Sequence, residues 1–175
     1  MMPCNLRLIG PNEDLLDEYV AYVEELLEAR ERVSEDMLEA AHGRFNQFVD
    51  SLRDAAAGRN LRPGLVPWNT YWMLLSKRLL GMSSLRHRLT PALEDRGGNI
   101  GYNVRPSERS KGYGTKLLAL TLEKAKRRGL ERVLVTCHPD NVASVRIIEK
   151  NGGVLASEGV CKLDGELVRR YWIEL

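Results

Sequence analysis

The sequence predicts a mixed α/β domain of the α+β kind, with a mostly antiparallel central sheet flanked by helices and a βαβ unit at its centre. Two segments with helical spacing of apolar residues come first, three short β-type runs occupy the middle, and strands alternate with glycine-ended helices afterwards. The chain of 175 residues fits one domain, and its 43% hydrophobic content is enough to build a core.

The first half of the chain is predicted to contain a strand, two helices and a hairpin. NLRLIG is the strand, and PNEDLLDEYVAYVEELLEARE is an amphipathic helix whose start is favoured by Asn12 and the acidic residues after it. A second helix begins at Ser34 and continues to Leu52, and LRPGLVPWN follows as a loop. TYWMLLS and RLLGMSSLR then predict an antiparallel hairpin.

The second half is predicted to alternate strands and helices. GGNIGYNV is a strand that follows the loop HRLTPALEDR, and a helix runs from Gly112 to Gly129. RVLVTC is a buried strand, NVASVRIIEKNGG contains a short helix, and GVLASEGV and LVRRYWIEL close the chain as strands. The order is therefore strand, two helices, three strands, helix, strand, helix and two strands.

Charge and cysteine content argue against several classes of protein. The net charge of +2 gives no general reason to bind nucleic acid or an anionic membrane, so any basic site must be local. Cys4, Cys137 and Cys161 are odd in number and contain no CxxC pair, so we expect neither disulfides nor a metal site. No secretory signal or membrane-spanning run is predicted, and we expect a soluble, cytoplasmic protein.

The stretch RSKGYGT, from Arg109 to Thr115, has the composition of an anion-binding turn. It opens a helix, whose first N–H groups are unpaired and lie at the positive end of the helix dipole. Gly112 and Gly114 leave the backbone accessible, while Arg109 and Lys111 are expected to add mobile positive charge. The pattern is Arg-x-x-Gly-x-Gly, which fits neither GxxxxGK[ST] nor GxGxxG.

This turn and the segment VLVTCHPDNVASVRIIEKNGG resemble the GNAT superfamily of N-acetyltransferases over residues 98–171. LRHRLTPALEDRGGNIGYNVRPSER and IEKNGGVL are similar to a subgroup of uncharacterised bacterial acetyltransferases. The resemblance implies a GNAT-like fold and an acyltransferase that moves an acetyl group from acetyl-CoA directly to a small-molecule or peptide amine. Residues 98–175 would form the acetyl-CoA-binding core, residues 1–97 would shape the acceptor site, and a homodimer is compatible with the family.

The resemblance also implies how coenzyme A is bound. Backbone groups near Val104 would meet the pantetheine arm, and the turn after them would hold the pyrophosphate. The basic run EKAKRRGLER is either a solvated helix face or, at its start, a neighbour of the adenine and 3′-phosphate end of coenzyme A. The implied binding residues are Val104, Arg109, Ser110, Lys111, Gly112, Tyr113, Gly114, Thr115, Asn141 and Ser144.

Acetyl transfer requires a neutral amine, a donor for the oxyanion and an acid for the leaving thiolate. The Tyr that many GNAT enzymes use as the acid lies seven residues beyond the Asn of the second βα turn, and here that position is Ile148. Tyr102, on the same strand face as Val104, is a candidate to donate a proton or line the pocket. Asn99 stands where relatives often carry a His.

The candidate bases are His87, at the end of the third strand, and the acidic residues Glu94, Asp95 and Glu108. The alternatives are a surface or structural role for His87 and a role for Glu108 in capping the loop or solvating its rim. Cys137, which precedes a His, is either a nucleophile or a packed core residue. Two functions remain open at this point. One is a GNAT enzyme, and the other is a catalytically weak acyl-CoA-binding sensor or regulatory module.

Overall fold

The computed structural model describes residues 6–175, so the predictions for Cys4 and Asn5 fall outside it. The strands are β1 (Leu6–Ile9), β2 (Trp68–Leu75), β3 (Arg78–Arg86), β4 (Ile100–Val104), β5 (Arg132–Cys137), β6 (Val154–Val160) and β7 (Leu167–Glu174). The α-helices are α1 (Leu16–Glu28), α2 (Glu35–Glu39), α3 (Phe45–Ala56), α4 (Pro91–Asp95), α5 (Tyr113–Arg127) and α6 (Val142–Lys150). Across the described residues, no helix is both long and apolar enough to cross a membrane.

The strands form two antiparallel sheets that meet at one point. The first has the order β1-β2-β3-β4 and the second the order β5-β7-β6. Backbone hydrogen bonding joins the sheets where Asn99 N donates to Leu134 O at 2.7 Å. Past this contact β4 pairs only with β3, so a gap opens between β4 and β5. The mixed, mostly antiparallel fold with helices on both sides is confirmed.

Helices cover both faces of the first sheet because their apolar stripes need burial. On one face, α1 and α3 surround Trp72 with the buried rings of Tyr19 and Phe45. On the other face, Leu117 of α5 packs against Val104 at the end of β4. The second sheet packs against α5 and α6 in a further core cluster. These layers hold β4 and the start of α5 in fixed positions.

The single second helix predicted from Ser34 to Leu52 is wrong, because the chain kinks between α2 and α3. Gly43 has φ +113° at the kink, a conformation that glycine adopts without the steric cost of a side chain. Ser34 does start α2 as expected, and its hydroxyl accepts a hydrogen bond from Met37 N at 3.4 Å.

The predicted loop HRLTPALEDR contains the short helix α4. Thr90 caps it by accepting a hydrogen bond from Leu93 N at 3.3 Å, and Pro91 occupies its first turn. Asp95, at its end, forms an ion pair of 2.6 Å with Arg170 on β7. The segment therefore ties the first half of the chain to the second sheet.

Candidate active site

A cleft of about 790 Å³ lies between the end of β4, the first turn of α5 and helix α6. Of the residues predicted for the site, it is lined by Tyr102, Val104, Arg109, Ser110, Gly112, Gly114, Thr115, Asn141 and Ser144. Lys111 and Tyr113 belong to the same turn but do not line the cleft, and neither does His87. Sequence reasoning missed the other lining residues, which are Glu31, Asn103, Ala143, Arg146, Ile147 and Lys150.

The turn before α5 presents its backbone amides to the cleft. Ser110 and Gly112 have left-handed backbones, with φ of 61° and 83°. No amide from residue 110 to residue 115 donates a hydrogen bond within the described chain, and the first amide to do so is Lys116 N, 3.2 Å from Gly112 O. Consecutive unpaired amides at a helix N-terminus form a concave, positively polarised surface. The backbone alone can therefore bind an anion here.

Both cations of the turn are paired with carboxylates, whereas the sequence predicted free positive charge there. Arg109 donates to Val104 O at 2.9 Å and to Asn103 Oδ1 at 3.0 Å, and it also pairs with Glu31. Lys111 Nζ lies 2.9 Å from a carboxylate oxygen of Glu108. Carboxylates thus neutralise both charges. Arg109 instead fixes the end of β4 to the segment after α1.

Helix α6 forms the opposite wall of the cleft. Asn141 caps it, and its Oδ1 accepts a hydrogen bond from Ser144 N at 3.0 Å. The spacing Asn-x-x-Ser is therefore that of a helix cap. Gly114 lets α5 approach α6, because a Cβ at this position would lie 2.6 Å from Cδ1 of Ile147.

Tyr102 spans the gap between β4 and α6. Its hydroxyl oxygen lies 2.8 Å from Oγ of Ser144. Burial raises the pKa of Tyr102 to about 12, against the opposing effect of the Ser144 hydrogen bond. The phenol is consequently protonated at neutral pH, so a hydroxyl group that can donate a hydrogen bond lies in the cleft.

The structure places His87 outside the cleft. Its Nε2 is 2.8 Å from Asn69 Oδ1, and its Nδ1 is 2.6 Å from a guanidinium nitrogen of Arg128. Burial and the positive charge of Arg128 lower the pKa of His87. Val104 pairs with Gly81 in β3, and His87 follows Gly81 by six residues, which corresponds to about 20 Å along an extended strand.

The predicted acidic bases also lie outside the cleft lining. Glu108 is held by Arg78 and Lys111, and hydrogen bonding from Lys111, the largest effect, outweighs burial and lowers the pKa of Glu108. Asp95 is held by Arg170 and the amide of Lys162, and that amide is the main cause of the lowered pKa of Asp95. Glu94 is exposed on α4.

Cys137 has the environment of a packed thiol. It is buried at the end of β5, and burial raises the pKa of its thiol. The neighbouring His138 uses Nδ1 to accept a hydrogen bond from Asp140 N at 3.2 Å. Within residues 6–175, no group of three or more His, Cys, Asp and Glu side chains is placed to hold a metal ion.

Comparison with known proteins gives a family for this arrangement. The model for the acetyltransferase (GNAT) domain matches residues 6–154. An uncharacterized N-acetyltransferase of Bacillus subtilis (strain 168), YnaD, is 35% identical over 76 residues, which are 43% of this chain and 44% of that protein. The match therefore spans less than half the length of this relative.

Solved structures share the fold over almost the whole chain. RimL, a ribosomal L7/L12 α-N-protein acetyltransferase in complex with coenzyme A, has a TM-score of 0.72 at 16% identity, covering 100% of this chain and 97% of that one. A ribosomal-protein-S5-alanine acetyltransferase from Vibrio fischeri has a TM-score of 0.74 at 12% identity, covering 99% and 95%. These likenesses show the fold, and the family match over residues 6–154 identifies the chain as a member of the GNAT family of acetyltransferases.

Proposed function

We propose that the protein is an N-acetyltransferase that moves an acetyl group from acetyl-CoA directly to an amine. The observation that carries this proposal is the run of unpaired amides from residue 110 to residue 115, of which Ser110, Gly112, Gly114 and Thr115 line the cleft at the start of α5. A pyrophosphate is the kind of anion that such a surface binds, because several N–H donors and the helix dipole act on it together. The family membership supports the same assignment.

The rest of the cosubstrate fits the cleft beyond this turn. The edge of β4 that faces β5 is unpaired past Asn99, so backbone groups near Val104 are available to the amides of the pantetheine arm. The side-chain amide nitrogen of Asn141 has no partner within the described residues, since the cap uses only its oxygen. Residues 98–175 supply these groups, and residues 1–97 contribute Glu31 to the rim.

Tyr102 is our candidate for stabilising the leaving thiolate. A phenol with a pKa of about 12 stays protonated. Full proton transfer from this phenol to a thiolate whose conjugate acid has a pKa near 8.5 would be uphill by roughly 3.5 pKa units. We therefore assign Tyr102 a charge-assisted hydrogen bond to the departing sulfur. The nitrogen loses one proton to solvent as the carbon–sulfur bond breaks, and the thiolate takes up a proton from solvent, so the products are the amide and the coenzyme A thiol. The thioester oxygen would receive its hydrogen bond from the β4 backbone.

The amine reaches the thioester already neutral in this scheme, because none of the four predicted bases lines the cleft. Glu31 does line it, but hydrogen bonding from Arg109, the largest effect, outweighs burial and lowers the pKa of Glu31, which makes that carboxylate a weak base.

Two structural neighbours are named for acetylation of ribosomal proteins. We accordingly include peptide α-amines beside small amines as candidate acceptors.

Calorimetric titration with acetyl-CoA, together with thiol release across peptides, amino acids and polyamines, tests the proposal. Gly112→Trp should abolish binding by filling the turn. Gly165→Trp is the matched control, because Gly165 also has a positive φ, of 76°, but lies outside the cleft lining. Binding with turnover supports the enzyme. Binding without turnover on any amine favours the sensor, and no binding by the parent protein refutes the proposal.

A further inference from the structure

Two cations of α6, Arg146 and Lys150, face the cleft without a partner. They are four residues apart, which places them on one side of the helix about 6 Å apart along its axis. Both line the cleft, and neither forms a salt bridge or a hydrogen bond with another residue of the described chain. Arg109 and Lys111 are neutralised by carboxylates, so the free positive charge of the cleft lies on α6.

Two contacts hold this part of α6 against the amide turn. Ile147 approaches Gly114 so closely that a Cβ there would clash with it. Four residues on, Asn151 Nδ2 donates to Thr115 O at 3.2 Å. Arg146 and Lys150 lie within one helical turn of these contacts. The unpartnered cations therefore stand beside the unpaired amides, where one ligand can reach both.

Helix stability does not account for both charges. Lys150 occupies the last turn of α6, where a cation complements the helix dipole. Arg146 lies in the middle of the helix and has no such role. Glu149 follows it by three residues, at the spacing of an intrahelical ion pair, yet forms no salt bridge with it. Arg146 remains available to a ligand.

We propose that Arg146 and Lys150 bind the 3′-phosphate of the coenzyme A ribose and select 3′-phosphorylated coenzyme A over its dephosphorylated form. This inference rests on the proposed function and deepens it. The backbone amides can hold the pyrophosphate, but a third phosphate carries a charge of about −1.5 to −2 and needs further donors. Glu31 also lines the cleft but is paired with Arg109, so Arg146 and Lys150 are the uncompensated charges available to that phosphate.

The sequence offers the start of the basic run on α5 as another candidate neighbour of the 3′-phosphate, the alternative for that run being a solvated helix face. The cations of that run do not line the cleft. Lys124 lies over the ring of Tyr71 at 5.6 Å from its centroid, and Arg128 contacts His87. The site of the 3′-phosphate therefore moves from α5 to α6.

The test compares coenzyme A with 3′-dephospho-coenzyme A by calorimetry at one fixed ionic strength. The proteins are the parent, Arg146→Gln, Lys150→Gln and the double variant. Arg127→Gln is the control, because Arg127 is exposed on α5 with Glu123 as a distant partner at 3.9 Å. We expect the parent to prefer coenzyme A by about tenfold, each single variant to lose several-fold of that preference, and the double variant to lose nearly all of it.

Affinity for dephospho-coenzyme A should remain within about twofold of the parent value in every variant. An equal loss for both ligands would assign the cations to the pyrophosphate and overturn the inference. A preference for coenzyme A that survives in the double variant would overturn it as well. If the parent binds both ligands equally, only this inference fails. If the parent binds neither, the proposed function fails with it.

Discussion

Asn99 bonds to both backbone polar groups of Leu134. The amide of Asn99 donates to Leu134 O at 2.7 Å, and Asn99 Oδ1 accepts from Leu134 N at 2.8 Å. Asn99 also bonds to Arg86 of β3 in both directions, at 2.7 Å and 3.3 Å. One buried side chain thus closes the base of the gap in which the cleft lies. In this chain, the position where relatives often carry His has a structural role.

Removing this joint should destabilise the protein. Asn99→Ala leaves Leu134 N unpaired in a buried position, and we expect the free energy of unfolding to fall by about 1–3 kcal/mol in urea denaturation. Asn46→Ala, at an exposed position of α3, should change it by less than about 0.5 kcal/mol. Equal stabilities of Asn99→Ala and the parent would mean that the two sheets are held together elsewhere.

The close approach of α5 and α6 should influence affinity for acetyl-CoA. In Gly114→Ala the new methyl group meets Cδ1 of Ile147, the end of a flexible side chain that can rotate away at small cost. We therefore expect calorimetry to show the affinity for acetyl-CoA reduced by no more than about threefold. Adding Ile147→Val removes the clashing atom and should restore most of the affinity. Additive losses in the double variant would contradict the proposed contact.

Some features of the candidate site can be predicted from the sequence, and others depend on contacts between residues that are distant in the chain. The glycine turn before α5 could be predicted, because glycines, a preceding strand and a following helix are local signals. The pairing of Arg109 with Glu31 could not, because residues 78 positions apart meet only when α1 packs on the sheet. The place of Arg146 and Lys150 in the cleft could not be predicted, because sequence alone does not distinguish a cation that faces a ligand from a solvated one.

The sequence contains a start signal for the short helix α4 within the segment predicted to be a loop. Thr90 followed by Pro91 is a helix-start pattern, and a Pro at the first helical position needs no hydrogen bond of its own. The kink at Gly43 carried a similar signal within a pattern that was periodic on both sides. Periodicity identifies a helical face but gives no information on where the axis changes direction.

A buried ion pair anchors the segment that leads to the amide turn. Arg105, only 3% exposed, donates to Glu25 at 2.6 Å and to Glu18 at 3.0 Å. Arg105→Met should lower the free energy of unfolding by about 2–4 kcal/mol. We expect less than the largest costs seen for breaking a buried ion pair, because both carboxylates are partly exposed. Arg44→Met, at an exposed ion pair, should cost less than about 1 kcal/mol.

The same pair should produce a defined pH dependence. Burial favours a higher pKa for Glu25, but hydrogen bonds from Ser107 and Arg105 outweigh it, and the pKa lies below the ordinary value of 4.5. The unfolded chain therefore binds more protons than the folded one, so this stabilisation is present above pH 4.5 and is lost as pH falls. The difference in the free energy of unfolding between the parent and Arg105→Met should become smaller in acid. A difference that stays constant with pH would exclude this linkage.

Tyr102→Phe tests the role of the only hydroxyl group that we assign to the reaction. Loss of a hydrogen bond to a charged leaving group costs about 1.5–3 kcal/mol, so kcat should fall by about 10- to 100-fold while KM for acetyl-CoA changes little. Tyr71→Phe is the matched control, because Tyr71 lies outside the cleft lining and packs against the core. A fall in affinity with unchanged kcat would instead make Tyr102 a binding residue.

Protonation of His87 should affect the stability of the protein and not its turnover. Burial, and then the charge of Arg128, place the pKa of His87 in the folded protein below its ordinary value of 6.5. The unfolded chain binds the proton more readily, so stability contributed by neutral His87 is present above pH 6.5 and declines as pH falls toward the folded pKa. Thermal unfolding of His87→Gln should therefore be less sensitive to acidification between pH 7.5 and 5.5 than that of the parent. Parallel curves for His87→Gln and the parent would show that the contact with Arg128 has no influence on proton binding by His87. A large loss of kcat in His87→Gln would instead make His87 a catalytic residue.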